Sequence, residues 1–293
     1  HQVADFCGVQ VLTYALMSNH FHVLVRVPKQ ENISDEELLR RYRVLYPQPT
    51  PHVLARLVVM EAAFKAGGDV AEAERQKLLR RMGNLSAFMK LFKQRFSIWY
   101  NKNHARQGTL WSERFTSVIV EGNHHFASLA VASYIDLNPV RAGLTQDPKD
   151  YRWCGYSEAV STGGAIVQGL RRALGVVGEN RSDAEMLAAY RVALFSKGAT
   201  MKRGDSKAAR LSTEAAQAVA ESDGALPLPE RLWEQFRWLT KGAVIGSKEF
   251  VEAHLQQYRE KTGNRLRSGI RPSSERDSEG LSDLYSLRGM TTE

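Results

Sequence analysis

Two histidines stand two residues apart in the segment Met17-Ser18-Asn19-His20-Phe21-His22-Val23-Leu24-Val25. In an extended strand, residues two apart project from the same face, so the imidazoles of His20 and His22 converge on one point while Phe21 turns toward the core. That arrangement suits a divalent metal ion, which two ligands leave under-coordinated. A third is offered by Asn138, four residues after Tyr134 and on the same side of a helix. A phenol beside such a metal is a nucleophile for phosphoryl transfer. Each feature also has a plainer reading. Two histidines can simply alternate along a half-buried strand, and Tyr134 can be a core aromatic with Asn138 ending a helix before Pro139.

These residues need elements to hold them. Residues 9–16 and 21–27 are rich in β-branched and aromatic side chains around the turn-forming Ser18-Asn19, which predicts a β-hairpin. Residues 28–52, interrupted by Pro47, Pro49 and Pro51, read as an insertion with one short helix at 34–46. From 71 to 100, Leu78, Met82, Leu85, Met89, Phe92, Phe96 and Trp99 recur at steps of four and three, the buried stripe of a long helix that Gly83 could divide. Lys90, Lys93, Arg95 and Lys102 lie off that stripe and face solvent or a phosphate backbone. Residues 115–120 read as a strand, and 126–137 as a helix closed by Pro139.

Beyond residue 160 the texture becomes Gly/Ala-rich, with linkers expected at 196–205 and 221–229. Residues 230–240 and 247–258 could be two helices joined by 241–246, as in a helix-turn-helix. The expected organisation is an α+β domain over 1–160 with an insertion at 29–85, a helical module over 161–265 that is a candidate for DNA binding, and a disordered tail over 266–293.

The chain of 293 residues is 43% hydrophobic, enough to bury a core, and its net charge of +8 makes a polyanion the natural partner, nucleic acid first. No apolar run approaches the roughly 20 residues that span a bilayer, since residues 53–64 are broken by Arg56 and Glu61, and no signal-peptide layout is present. Cys7 and Cys154 have no disulfide or zinc spacing, which fits a reducing cytoplasm. The chain opens at His1, inside what reads as a helix end and without an initiator methionine, and so reads as a fragment.

The histidine strand resembles that of REP-associated tyrosine transposases, the insertion-sequence-200-like, single-tyrosine group of HUH nucleases. Lys93-Gln94-Arg95-Phe96, Trp99-Tyr100-Asn101, Gly108-Thr109-Leu110-Trp111, Arg114-Phe115 and Tyr134-Ile135-Asp136-Leu137-Asn138-Pro139-Val140-Arg141-Ala142-Gly143 are similar to that family's blocks and stand in the same order. The resemblance covers about residues 9–157 and is weaker over 239–252. It implies a ferredoxin-like or RRM-like antiparallel sheet packed by helices, and Tyr134 as the nucleophile that links to a DNA 5′ end. Mg²⁺ or Mn²⁺ would be held by His20, His22 and Asn138. The expected substrate is single-stranded DNA, at hairpins of palindromic repeats, in the bacterial cytoplasm and nucleoid, with the enzyme a monomer or homodimer. Lys93, Arg95, Arg114 and Arg141 are the expected DNA contacts. The family's first strand and most of its first helix would precede His1, and the insertion at 29–85 is longer than its pattern.

A free phenol ionises near about pH 10, so a cation must favour the phenolate, and Arg114 and Arg141 are candidates for that or for phosphate contact. Trp111, Phe115 and Tyr100 could stack on unpaired bases or pack the core. Glu121, His124, His125 and Asp136 could complete the metal site or do nothing. Two rival readings remain open: an inactive or domesticated single-stranded nucleic-acid binder, and a hydrolase in which the histidines activate water and Tyr134 is dispensable.

Overall fold

The computed structural model describes residues 1–29, 32–175, 182–195, 242–263, 270–272 and 284–288. The architecture is α+β, and the chain divides into two compact units, His1–Val11 with Val25–Phe115, and Leu12–Leu24 with Thr116–Glu293.

The first unit is helical. α1 (Gln2–Cys7) ends at Gly8, whose left-handed backbone (φ 64°) provides the cap. α2 (Asp35–Leu45) starts where Ser34 accepts from the Glu37 N–H at 3.3 Å, as the expected helix at 34–46 requires. The insertion holds more than that one helix: α3 (Pro51–Ala66) and α4 (Gly68–Leu79) follow, with Pro51 in the first turn of α3, where its missing N–H costs nothing. Phe6, Leu38, Leu45 and Met60 are fully buried in this unit. Arg75 forks onto the Asp35 carboxylate through Nε at 2.8 Å and Nη2 at 2.7 Å.

The long helix expected over 71–100 is two helices. α4 stops at Leu79, and α5 (Leu85–Asn103) starts with Asn84 accepting from the Ala87 N–H at 3.0 Å. Between them Gly83 takes φ 59° and donates its N–H to the Cys7 carbonyl at 2.8 Å, a turn only glycine adopts at no cost.

The predicted hairpin is present as β1 (Gln10–Leu16) and β2 (Phe21–Arg26), its turn closed by the Met17 N–H donating to the His20 carbonyl at 2.8 Å. Of the strand expected over 115–120, only Ile119–Val120 (β3) pairs. α6 (His125–Asp136) and α7 (Asn138–Arg141) follow, then α8 (Gly155–Thr162), α9 (Ala165–Ala173) and α10 (Asp183–Phe195).

The carboxy-terminal part departs from the helical module expected there. Residues 242–246, read as a helix-turn-helix turn, are β4 (Gly242–Gly246), and residues 270–272 and 284–288 of the expected disordered tail are β5 (Ile270–Pro272) and β6 (Tyr285–Arg288). They form a mixed sheet in the order β3-β4-β6-β5, separate from the β1–β2 hairpin, with β3 parallel to β4. The physical reason is burial. Val244 and Ile245 are 1% exposed, and Val244 packs in one cluster with Leu287 and with Val251 and Leu255 of α11 (Lys248–Thr262). Pro272 sits on the edge strand, where its missing N–H does no harm. The expected helix at 230–240 and both expected linkers lie outside the described residues.

Candidate active site

His20 is exposed in the turn, one residue before β2 begins, and His22 is the second residue of the strand. Their rings stand 5.0 Å apart between centroids, edge to face, as the two-residue spacing requires. Phe21 is only partly buried and does not fill a core. The Nδ1 of His20 donates to Oδ1 of Asn19 at 2.7 Å, which leaves Nε2 as the lone pair for a ligand. Burial pushes the His22 imidazole down to about 4, helped by the charges of His20 and Arg141, so it is neutral, and competent to ligate, at physiological pH.

α6 carries the tyrosine. His124 caps it by accepting from the Ala127 N–H at 3.3 Å through Nδ1. The helix ends at Asp136, with Leu137 as its cap, just before Pro139 as expected. A separate short helix, α7, starts at once after Leu137, because a proline in a first turn lacks only an N–H that has no partner there anyway, and the winding stops at Gly143 (φ 69°). That turn brings Asn138 and Arg141 back beside Tyr134. Nδ2 of Asn138 donates to the Tyr134 carbonyl at 2.9 Å, and Arg141 Cζ lies 4.8 Å from the centre of the Tyr134 ring. That ring meets His22 edge on at 5.5 Å. Four of the residues singled out from sequence, His20, His22, Tyr134 and Asn138, therefore belong to one compact unit, with Arg141 beside them.

Among the described residues no three His, Cys, Asp or Glu side chains assemble into a metal-binding group. The mixed set expected from sequence would comprise Nε2 of His20, a neutral His22 and Oδ1 of Asn138, whose Nδ2 is already engaged by the Tyr134 carbonyl. The other ionisable candidates are committed elsewhere. Glu121 accepts from the Ser247 N–H at 2.6 Å, His124 caps α6, and the side chain of His125 lies outside the described residues.

Asp136 is fully buried and accepts from Thr13 Oγ1 at 2.7 Å, Tyr190 Oη at 2.6 Å and the Tyr156 N–H at 3.2 Å. Burial pushes its carboxyl up to about 7, outweighing those three donors. Thr13, Tyr156 and Tyr190 were not readable as partners, because their separation in sequence leaves no local signal.

The remaining expected DNA contacts, Lys93, Arg95 and Arg114, belong to the other unit. Lys93 donates to the Glu113 carbonyl at 2.8 Å and sits 5.0 Å over the Trp111 ring; Arg95 sits 5.3 Å over Tyr46; Arg114 is exposed. The apolar stripe of α5 leaves the core as it proceeds: Met89 is 3% exposed, Phe96 36% and Trp99 56%. Phe96, Trp99, Tyr100 and Trp111 pack on one another at 5.7–6.5 Å, and His104 stacks on Tyr100 at 4.1 Å. Residues 85–115 carry Lys90, Lys93, Arg95, Lys102, Arg106 and Arg114 against the single acid Glu113.

Both cysteines are buried and free. Among the described residues no helix is long and apolar enough to cross a membrane. Comparison with family models, with curated proteins and with solved structures returns no match to this chain.

Proposed function

We propose that the chain is a metal-dependent DNA strand transferase that cleaves and rejoins single-stranded DNA through Tyr134. The observation that carries this reading is the edge-on contact of the Tyr134 ring with His22 at 5.5 Å, with His20, Asn138 and Arg141 around the same point. The resemblance of these residues to the HUH blocks supports it, as do the α+β architecture and the basic, aromatic surface of α5.

In that role the Tyr134 hydroxyl loses its proton to solvent and its oxygen attacks a backbone phosphorus. The Tyr134 O–P bond forms, the P–O3′ bond breaks, and the departing 3′-oxygen takes up a proton. The phosphotyrosine keeps the energy of the phosphodiester, so a later 3′-hydroxyl reverses the step and joins strands with no ATP. Arg141, over the phenol ring, supplies positive charge where the phosphate must lie. A Mg²⁺ or Mn²⁺ ion held by His20, His22 and Asn138 would supply Lewis-acid polarisation of the scissile phosphate.

The burial of Tyr134, 9% exposed, favours a second reading: a single-stranded nucleic-acid binder that does not cleave. One experiment separates the two. Labelled hairpin DNA is incubated with the protein and Mn²⁺, and denaturation-resistant adducts are counted beside a Tyr134→Phe control. An adduct absent from the control and with chelator supports strand transfer. Cleavage that survives in Tyr134→Phe means hydrolysis, and binding without cleavage leaves the binder.

A further inference from the structure

Two contacts join the same two elements. The β1–β2 hairpin carries Thr13 and His22, and α6 carries Asp136 and Tyr134; Thr13 donates to Asp136 at 2.7 Å, and His22 meets the Tyr134 ring at 5.5 Å. Edge-on ring contacts are favourable over a range of centroid separations, about 4.5–7 Å. The hydrogen bond is directional and fully buried, so slipping it leaves a polar group unsatisfied at about 1–3 kcal/mol. The directional contact therefore sets the register of the helix on the hairpin.

Two further donors brace it. Tyr190 of α10 reaches the second carboxylate oxygen at 2.6 Å, and the Tyr156 N–H in the first turn of α8 reaches the first at 3.2 Å. α8 comes this close only because residue 155 is glycine: a Cβ there would stand 2.2 Å from Thr13 Oγ1 and 3.0 Å from the Tyr14 nitrogen. The polar cluster is thus built into the packing.

We propose that Asp136 is a positioning residue: its buried bonds to Thr13 and Tyr190 hold α6 so that Tyr134 faces the His20–His22 pair. The inference uses the strand-transfer reading for its kinetic test, but the placement itself is measurable without activity.

The test compares Thr13→Val, which keeps shape and removes the donor, with Thr13→Ser, which restores it, in the full chain. Selectively labelled His and Tyr rings give a His22–Tyr134 nuclear Overhauser contact in the parent and in Thr13→Ser. It is lost or weakened severalfold in Thr13→Val while cooperative melting persists. The single-turnover rate of adduct formation falls on the order of 100-fold in Thr13→Val, with DNA affinity within about twofold. Gly155→Ala, which pushes Thr13 aside, and Asp136→Ala reproduce the loss of the ring contact. An unchanged ring contact in Thr13→Val and in Asp136→Ala overturns the proposal, whether or not the chain cuts DNA. A ring contact that responds as stated in a chain that forms no adduct sustains the positioning role and sinks strand transfer instead.

Discussion

The side-chain nitrogen of Asn138 donates to the main-chain carbonyl of Tyr134 at 2.9 Å. A carbonyl can only accept, so the amide must present its nitrogen there, and its oxygen is the end left for other partners. One side chain thus braces the end of the tyrosine helix and, under the proposed function, would leave its oxygen as a donor for a divalent ion. Asn138→Ala is expected to weaken Mn²⁺ binding about tenfold, read by the loss of free Mn²⁺ signal in electron paramagnetic resonance. Asn138→Asp is expected to lower stability by about 1–3 kcal/mol, because a buried acceptor then faces an acceptor. Retained Mn²⁺ affinity in Asn138→Ala would remove this residue from the donor set.

The aromatic surface of α5 makes a prediction of its own. Base stacking on an aromatic ring is worth about 1–3 kcal/mol by alanine substitution. Trp99, 56% exposed, should therefore cost roughly 5- to 150-fold in affinity for an unstructured oligonucleotide when changed to Ala, with melting unchanged within about 1 °C. Lys102→Ala and Arg106→Ala, both at exposed positions, should each weaken binding to all sequences alike and flatten its salt dependence. Fluorescence anisotropy at several salt concentrations reads both effects, and an unchanged Trp99→Ala affinity would return this cluster to a purely structural role.

Stability toward acid should depend on Asp147. Burial alone would raise its carboxyl, but the fork from Arg191, at 2.6 and 3.2 Å, and the Lys149 N–H at 2.9 Å outweigh it and hold the group below its ordinary 3.8. A depressed pKa means the contribution is full above the unfolded value and fades as pH falls through the folded one. Chemical denaturation from pH 7 to 2 should therefore lose stability below about pH 4 in the parent. Asp147→Asn should start lower by on the order of 2 kcal/mol and lose less on acidification. A parallel pair of curves would mean that Asp147 plays no part in the acid limb.

Gly246 is tightly enclosed between Glu121 and Phe250: an added Cβ would meet Glu121 at 2.6 Å and Phe250 at 2.8 Å. Gly246→Ala should destabilise by about 1–3 kcal/mol through overpacking. Glu121→Ala/Gly246→Ala should recover part of that loss. Melting curves of the single and double variants check it, and strict additivity would mean that the two positions do not touch.

The parts of the site readable from sequence were those with short periods. Two-residue alternation placed His20 and His22 side by side, and four-residue spacing placed Asn138 by Tyr134. Pro139 marked the end of the tyrosine helix but not the start of α7, because a proline that terminates one turn is equally at home beginning the next. The carboxy-terminal sheet was unreadable because Val244 and Ile245 find partners at Ile119, Val120 and residues 285–287, and a five-residue apolar run carries no period of its own. The partners of Asp136 were hidden for the same reason, since Thr13 lies 123 residues and Tyr190 54 residues away from it in sequence.

The parallel pairing of Ile119 with Val244 also sets a timetable. At a synthesis rate of about 5–20 residues per second, the strand leading into the tyrosine helix emerges roughly 10 s before its neighbour exists. A ribosome that stopped in that interval would release every candidate catalytic side chain on a chain whose β3 edge is open to any passing strand. Translation beyond residue 246 is what closes it.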